Sequence, residues 1–78
     1  SVSGNSENLI NAAKMCKKKN ITIATLTGKS KNNKLRKYGK INYWVNSKSY
    51  NQVEAVHFIT LAILVDKLVG KEIYGTNL

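Results

Sequence analysis

A chain of 78 residues with one cysteine and a net charge of +9 has room for one small core and no internal disulfide to staple it. Its longest apolar run, Leu61 to Val65, falls far short of the ~20 residues that span a bilayer. No signal-peptide pattern is visible, so no membrane partner is expected and the cytoplasm is the expected location. Nine of the thirteen basic residues lie between Lys17 and Lys40 with no acid among them, yet twelve of the thirteen are lysine. A solvated lysine face accounts for that pattern. Arginine, the better reader of phosphate and base edges, occurs once, at Arg36, and nucleic acid is not the expected partner.

The chain opens on Ser1-Val-Ser-Gly-Asn-Ser-Glu-Asn8, which sets three hydroxyls, a glycine and two carboxamides directly before a helical pattern. Backbone N–H groups at a helix start favour an anion, and Ser and Asn side chains add donors. Gly4 lets the backbone turn where a Cβ would obstruct it. Ser1 to Ser3 read as the end of a strand whose apolar body is missing, so the expectation is a piece of a larger domain. A helix follows over Ser6 to Lys19, with Leu9, Ala12, Ala13 and Cys16 at i, i+3, i+4 and i+7 on one face. Cys16 on that stripe reads as a buried filler. Lys17 to Lys19 suit the helix C-terminus, and Asn20 ends it.

Ile21 to Thr27 is β-branched and bounded by Asn20 and Gly28, which predicts a strand of a parallel sheet. Lys34 to Tyr38 predicts a short helix ending at Gly39, and Ile41 to Val45 a second strand. A long helix is predicted from Asn51 to Val69, stopped by Gly70. Its middle, Phe58 to Val65, is apolar nearly all round, so it needs partners on two sides: the sheet, and most simply another subunit. The alternation implies an α/β fold, a parallel sheet with helices on both faces. Two complete strands cannot bury both faces of such a sheet, which again points to a piece of a larger domain. In open α/β sheets ligands bind beyond the C-terminal strand ends. Ser1–Ser6, Thr25–Ser30 and Asn46–Gln52 fall at that edge.

Gly28-Lys29-Ser30 imitates the tail of a phosphate-binding P-loop, but Ile23 stands where the partner glycine belongs. A triad of Ser3, His57 and Asp66 has no support in the spacing, and no Cys/His cluster marks structural zinc. Asn20-Ile-Thr22 matches a glycosylation acceptor but sits at a strand start. Within Tyr50-Asn-Gln-Val-Glu-Ala-Val-His57, Glu54 and His57 are i, i+3 neighbours in the first two turns of a helix. Such a pair suits base and acid in proton transfer, or two ligands of a metal. It equally suits a helix-start carboxylate beside a capped histidine.

Taken together, Ser1–Asn8, Ala12-Ala13-Lys14, Ile23–Gly28, Lys34-Leu35 and Val53–His57 resemble the C-terminal half of a sugar isomerase (SIS) domain. Among that superfamily the chain looks most like the phosphoheptose isomerases, which interconvert sedoheptulose 7-phosphate and a manno-heptose 7-phosphate. The resemblance implies a three-layer, flavodoxin-like fold of which residues 1–78 are the second half. It implies phosphate contacts at Ser1, Ser3 and Ser6, backbone help from Gly4 and Asn5, and an added contact at Thr27. It further implies aldose–ketose isomerisation through an enediol(ate), with Glu54 and His57 in the surviving catalytic roles. A divalent metal such as zinc is open by the same resemblance, with Glu54 and His57 as its ligands, as is a homodimer or homotetramer through the last helix. The family's Gln position is Glu54 here, its second His position is Ala62, and its catalytic Glu belongs to the other half. The alternative implied is a non-catalytic SIS module, a phosphosugar sensor or an assembly factor.

Overall fold

The structure is a computed structural model that describes residues 1–70. It is a small mixed α/β domain. Helix α1 spans Glu7–Lys18, strand β1 Ala24–Thr27, a 3-10 turn Lys34–Tyr38, strand β2 Ile41–Trp44 and helix α2 Tyr50–Val69. β1 and β2 pair in parallel, with Ala24 opposite Ile41 and Thr27 opposite Trp44.

Each boundary has a local cause. Asn20 takes a left-handed φ of 58°, the Ile21 amide donates to the Cys16 carbonyl and the Asn20 amide to Lys17. That is a Schellman closure of α1 with Asn in the place glycine usually holds. It also draws Ile21 out of the strand, so β1 begins three residues later than its β-branched run. Asn33 caps the 3-10 turn by accepting from the Arg36 amide, and Ser49 caps α2 by accepting from the Gln52 amide. Gly70 closes α2 at φ 81° with its amide on the Asp66 carbonyl.

α1 packs on the 3-10 turn, and the first turns of α2 pack on β1. The centre is small: among the described residues Ala13, Leu35 and Val53 are the buried hydrophobic ones. Val53 lies against Gly28, where a Cβ would come within 2.5 Å of the Val53 methyl. Much of the remaining interior is polar. Thr25 hydrogen-bonds Asn42, and Asn33 donates to the Thr27 hydroxyl at 3.0 Å and to the Ser30 carbonyl at 2.9 Å.

Apolar side chains elsewhere find less cover. Leu9, Ala12, Ala13 and Cys16 of α1 do share one face, but they line an apolar groove of about 350 Å³ with Ile23, Leu26 and Leu61. Cys16 is consequently half-buried and not the buried filler its spacing predicts. The groove follows the edge of β1 that β2 leaves open. Ile23 and Thr27 direct their carbonyls to β2, accepting from Lys40 and Val45, so by the two-residue period Leu26 directs its carbonyl the other way. There it accepts from the Ser1 nitrogen at 3.1 Å. Ser1 to Ser3 form no strand, but Ser1 occupies the position of a strand neighbour. Beyond its first turns α2 is exposed, with Phe58 at 74% and Leu68 at 87% of full accessibility. No helix among the described residues is long and apolar enough to cross a membrane.

Candidate functional site

Three loops meet at the C-terminal ends of the two parallel strands, where the topology of an open α/β sheet exposes amide groups and loop side chains together. They enclose a pocket of about 480 Å³ lined by Ser1, Val2, Ser3, Ser6, Lys29, Tyr50 and His57. One wall comes from the segment before α1, one from the turn after β1, and the last from the start of α2.

The hydroxyl wall is braced from within. The Ser1 and Ser6 hydroxyls lie 2.9 Å apart. The Gly4 amide donates to Ser1 Oγ and the Asn5 amide to Ser3 Oγ. Ser6 holds the N-cap position of α1 without capping it, so its hydroxyl turns to the pocket and the first-turn amides keep their positive ends free of it. Gly4 fixes the bend. Its φ is 71°, and a Cβ there would stand 2.1 Å from Cγ of the buried Asn33. Only glycine meets both conditions. The Gly4 carbonyl accepts from the Leu35 amide at 2.8 Å, and Asn5 Oδ1 accepts from the Lys34 amide at 3.0 Å. The loop is thereby sewn to the 3-10 turn.

Thr27 sits behind the pocket and does not line it. It is fully buried, its hydroxyl accepts from Asn33, and its carbonyl accepts from both Val45 and His57. It is a hub that joins β1, β2, the 3-10 turn and α2.

His57 is 8% exposed and lies 2.9 Å through Nε2 from the Thr27 carbonyl. A carbonyl only accepts, so in the neutral ring the proton belongs on Nε2 and the lone pair on Nδ1. His57 thus reaches the pocket as a fixed tautomer.

Glu54 is placed differently. It is exposed, it does not line the pocket, and no hydrogen bond joins it to His57 among the described residues. The spacing i, i+3 puts the two on one side of α2, but His57 turns inward to Thr27 and Glu54 outward to Tyr50. Hydrogen bonding to Glu54, then its charge, then slight desolvation raise the Tyr50 hydroxyl above its ordinary pKa of 10.0. The described residues do not fit a metal. His57 Nε2 is committed to a carbonyl, and nowhere among those residues do three of His, Cys, Asp and Glu gather.

Lys29 and Tyr50 belong to the pocket although the motifs pass over them. Among the described residues Lys29 is the one cationic side chain of the Lys/Arg kind in the lining, and no carboxylate accompanies it there. The sign was legible: Lys29 follows Gly28 at the strand end, where ligands bind, but it is easily counted with the basic run.

No known family's model, no curated protein and no solved structure matches this chain.

Proposed function

We propose that the pocket at the strand ends binds a sugar phosphate, and that the chain is the second half of an SIS-type domain of three layers acting in aldose–ketose isomerisation of the phosphoheptose class. One observation carries the reading: three serine hydroxyls, the uncapped start of α1 and one lysine surround a single cavity with no carboxylate in its lining among the described residues. Hydroxyl and amide donors around an uncompensated cation are the environment a phosphate requires. Its volume matches a ligand of a few hundred daltons.

In this reading Ser1, Ser3 and Ser6 donate to phosphate oxygens and the first-turn amides of α1 add their dipoles. His57 Nδ1 is the group that moves a proton between C1 and C2 of the sugar through the enediol(ate). Its held tautomer orients that lone pair. Apart from Lys29 and Tyr50, no second acid or base stands beside it among the described residues of the lining, and Ala62 stands where the resemblance would put another histidine. That favours, as the second reading, a binding module that senses a phosphosugar without converting it.

Replacing Ser3 and Ser6 together by alanine is expected to weaken binding of sedoheptulose 7-phosphate far more than binding of sedoheptulose, measured by calorimetry. An equal loss for both sugars would remove the phosphate cradle. Conversion of sedoheptulose 7-phosphate to its aldose, followed by NMR, separates the two readings: product marks the isomerase, and tight binding without product marks the sensor.

A further inference from the structure

We infer that Lys29 is the cation that recognises the ligand's phosphate, and that Tyr50 parks its ammonium at the pocket mouth until the anion arrives. The inference rests on the sugar-phosphate reading and adds to it a residue and a selection rule: the site takes anionic sugars because of Lys29.

The backbone is the first observation. Lys29 has a φ of 53°, the left-handed region that side chains other than Asn, Asp and Gly seldom adopt. The conformation is held from outside, because the Lys29 amide donates to the Ser47 carbonyl at 2.9 Å. That bond ties the turn after β1 to the loop after β2. A lysine kept where glycine or asparagine would sit more easily points to its side chain as the reason.

The second observation is where that side chain goes. Its Nζ stands 6.0 Å from the centroid of the Tyr50 ring, at the limit of a cation–π contact. The ring is exposed and lines the same pocket as the serines. Glu54, one turn further along α2, lies outside the pocket and raises the Tyr50 hydroxyl above its ordinary pKa. A contact this long at an exposed ring is weak, so the ammonium leaves it readily for a dianion. The exchange of a loose cation–π contact for a charge-assisted hydrogen bond favours the bound state.

Lys29→Gly and Lys29→Asn both suit the left-handed backbone, so they remove the cation without straining the turn; Lys29→Arg keeps the charge. In the full chain, calorimetric titration with sedoheptulose 7-phosphate, sedoheptulose and inorganic phosphate is expected to give a loss of about tenfold or more for the two phosphates in Lys29→Gly and Lys29→Asn, as for a hydrogen bond to a charged group. Sedoheptulose binding should not change, and Lys29→Arg should restore phosphate affinity to within about threefold of the native chain. Native phosphate affinity in Lys29→Gly, alongside a loss in the Ser3/Ser6 double variant, would overturn the role of Lys29 and leave the cradle standing. An equal loss for sedoheptulose and its phosphate in Lys29→Gly would overturn it too, as would failure of Lys29→Arg to restore binding. A native chain that binds neither phosphate would remove both the inference and the reading under it.

Discussion

The two ends of helix α2 are held by different physics. Its first two turns are anchored by specific contacts, two polar and one apolar: Ser49 on the Gln52 amide, His57 on the Thr27 carbonyl, and the Val53 methyls against Gly28. From Phe58 on, the helix carries Phe58, Ile59, Ile63, Leu64, Val65 and Leu68 into solvent, while Leu61, half exposed, lines the groove beside β1. The first region is specified by directional bonds among neighbours, each with one geometry. The second has apolar area and nothing directional, so its conformation is helical whatever covers it. A site needs the first kind of order, because a pocket must hold atoms within tenths of an ångström. An association surface needs only the second.

The comparison can be broken most sharply at Gly4. Gly4→Ala should destabilise the chain by about 3 kcal/mol, combining the left-handed strain with the collision against Asn33, read by denaturant unfolding. A stability within error of the native chain would show that the polar end is looser than its bonds imply. At the other end we propose self-association as a homodimer or homotetramer, and Leu64→Asp should then give monomers or insoluble protein. The expected loss is about 2 kcal/mol for each leucine removed from an apolar contact, read by sedimentation. Leu61→Asp should do the same and also disturb the groove beside β1, which Leu61 lines. An unchanged soluble oligomer would refute self-association through this face. The smallest effect is expected from Glu54→Gln. Glu54 favours the neutral phenol of Tyr50, so its removal should bring the Tyr50 titration back down toward 10.0, followed by carbon NMR of the ring. An unmoved titration would detach Glu54 from Tyr50 and from the pocket mouth.

Much of this was legible without coordinates. Alternating β-branched and helical runs give the order of elements, and Gly70 marks the end of α2, whereas the caps Asn33 and Ser49 emerge only from the structure. The 3-10 turn lies where Gly39 predicts its end. Strand β1 is shorter than its run because Ile21 serves the closure of α1, a use that β-propensity does not register. The pocket's hydroxyls are visible as a cluster of serines because they are close in sequence. Lys29 and Tyr50 are 21 positions apart in the chain, and only the pairing of β1 with β2 brings the loops that carry them together.

Glu54 and His57 divide the two kinds of information most cleanly. Their spacing determined that both lie near the start of one helix, on neighbouring positions, because the period of a helix is fixed by its backbone. Which of them faces the pocket was decided by Thr27, thirty residues upstream of His57, whose carbonyl offers a buried partner to an imidazole and none to a carboxylate. Local chemistry set the helices, the caps and the hydroxyl loop, since those bonds run between near neighbours. The tertiary structure chose the inward histidine, recruited the lysine and left the groove beside β1 uncovered, since those depend on what distant segments bring to the same place.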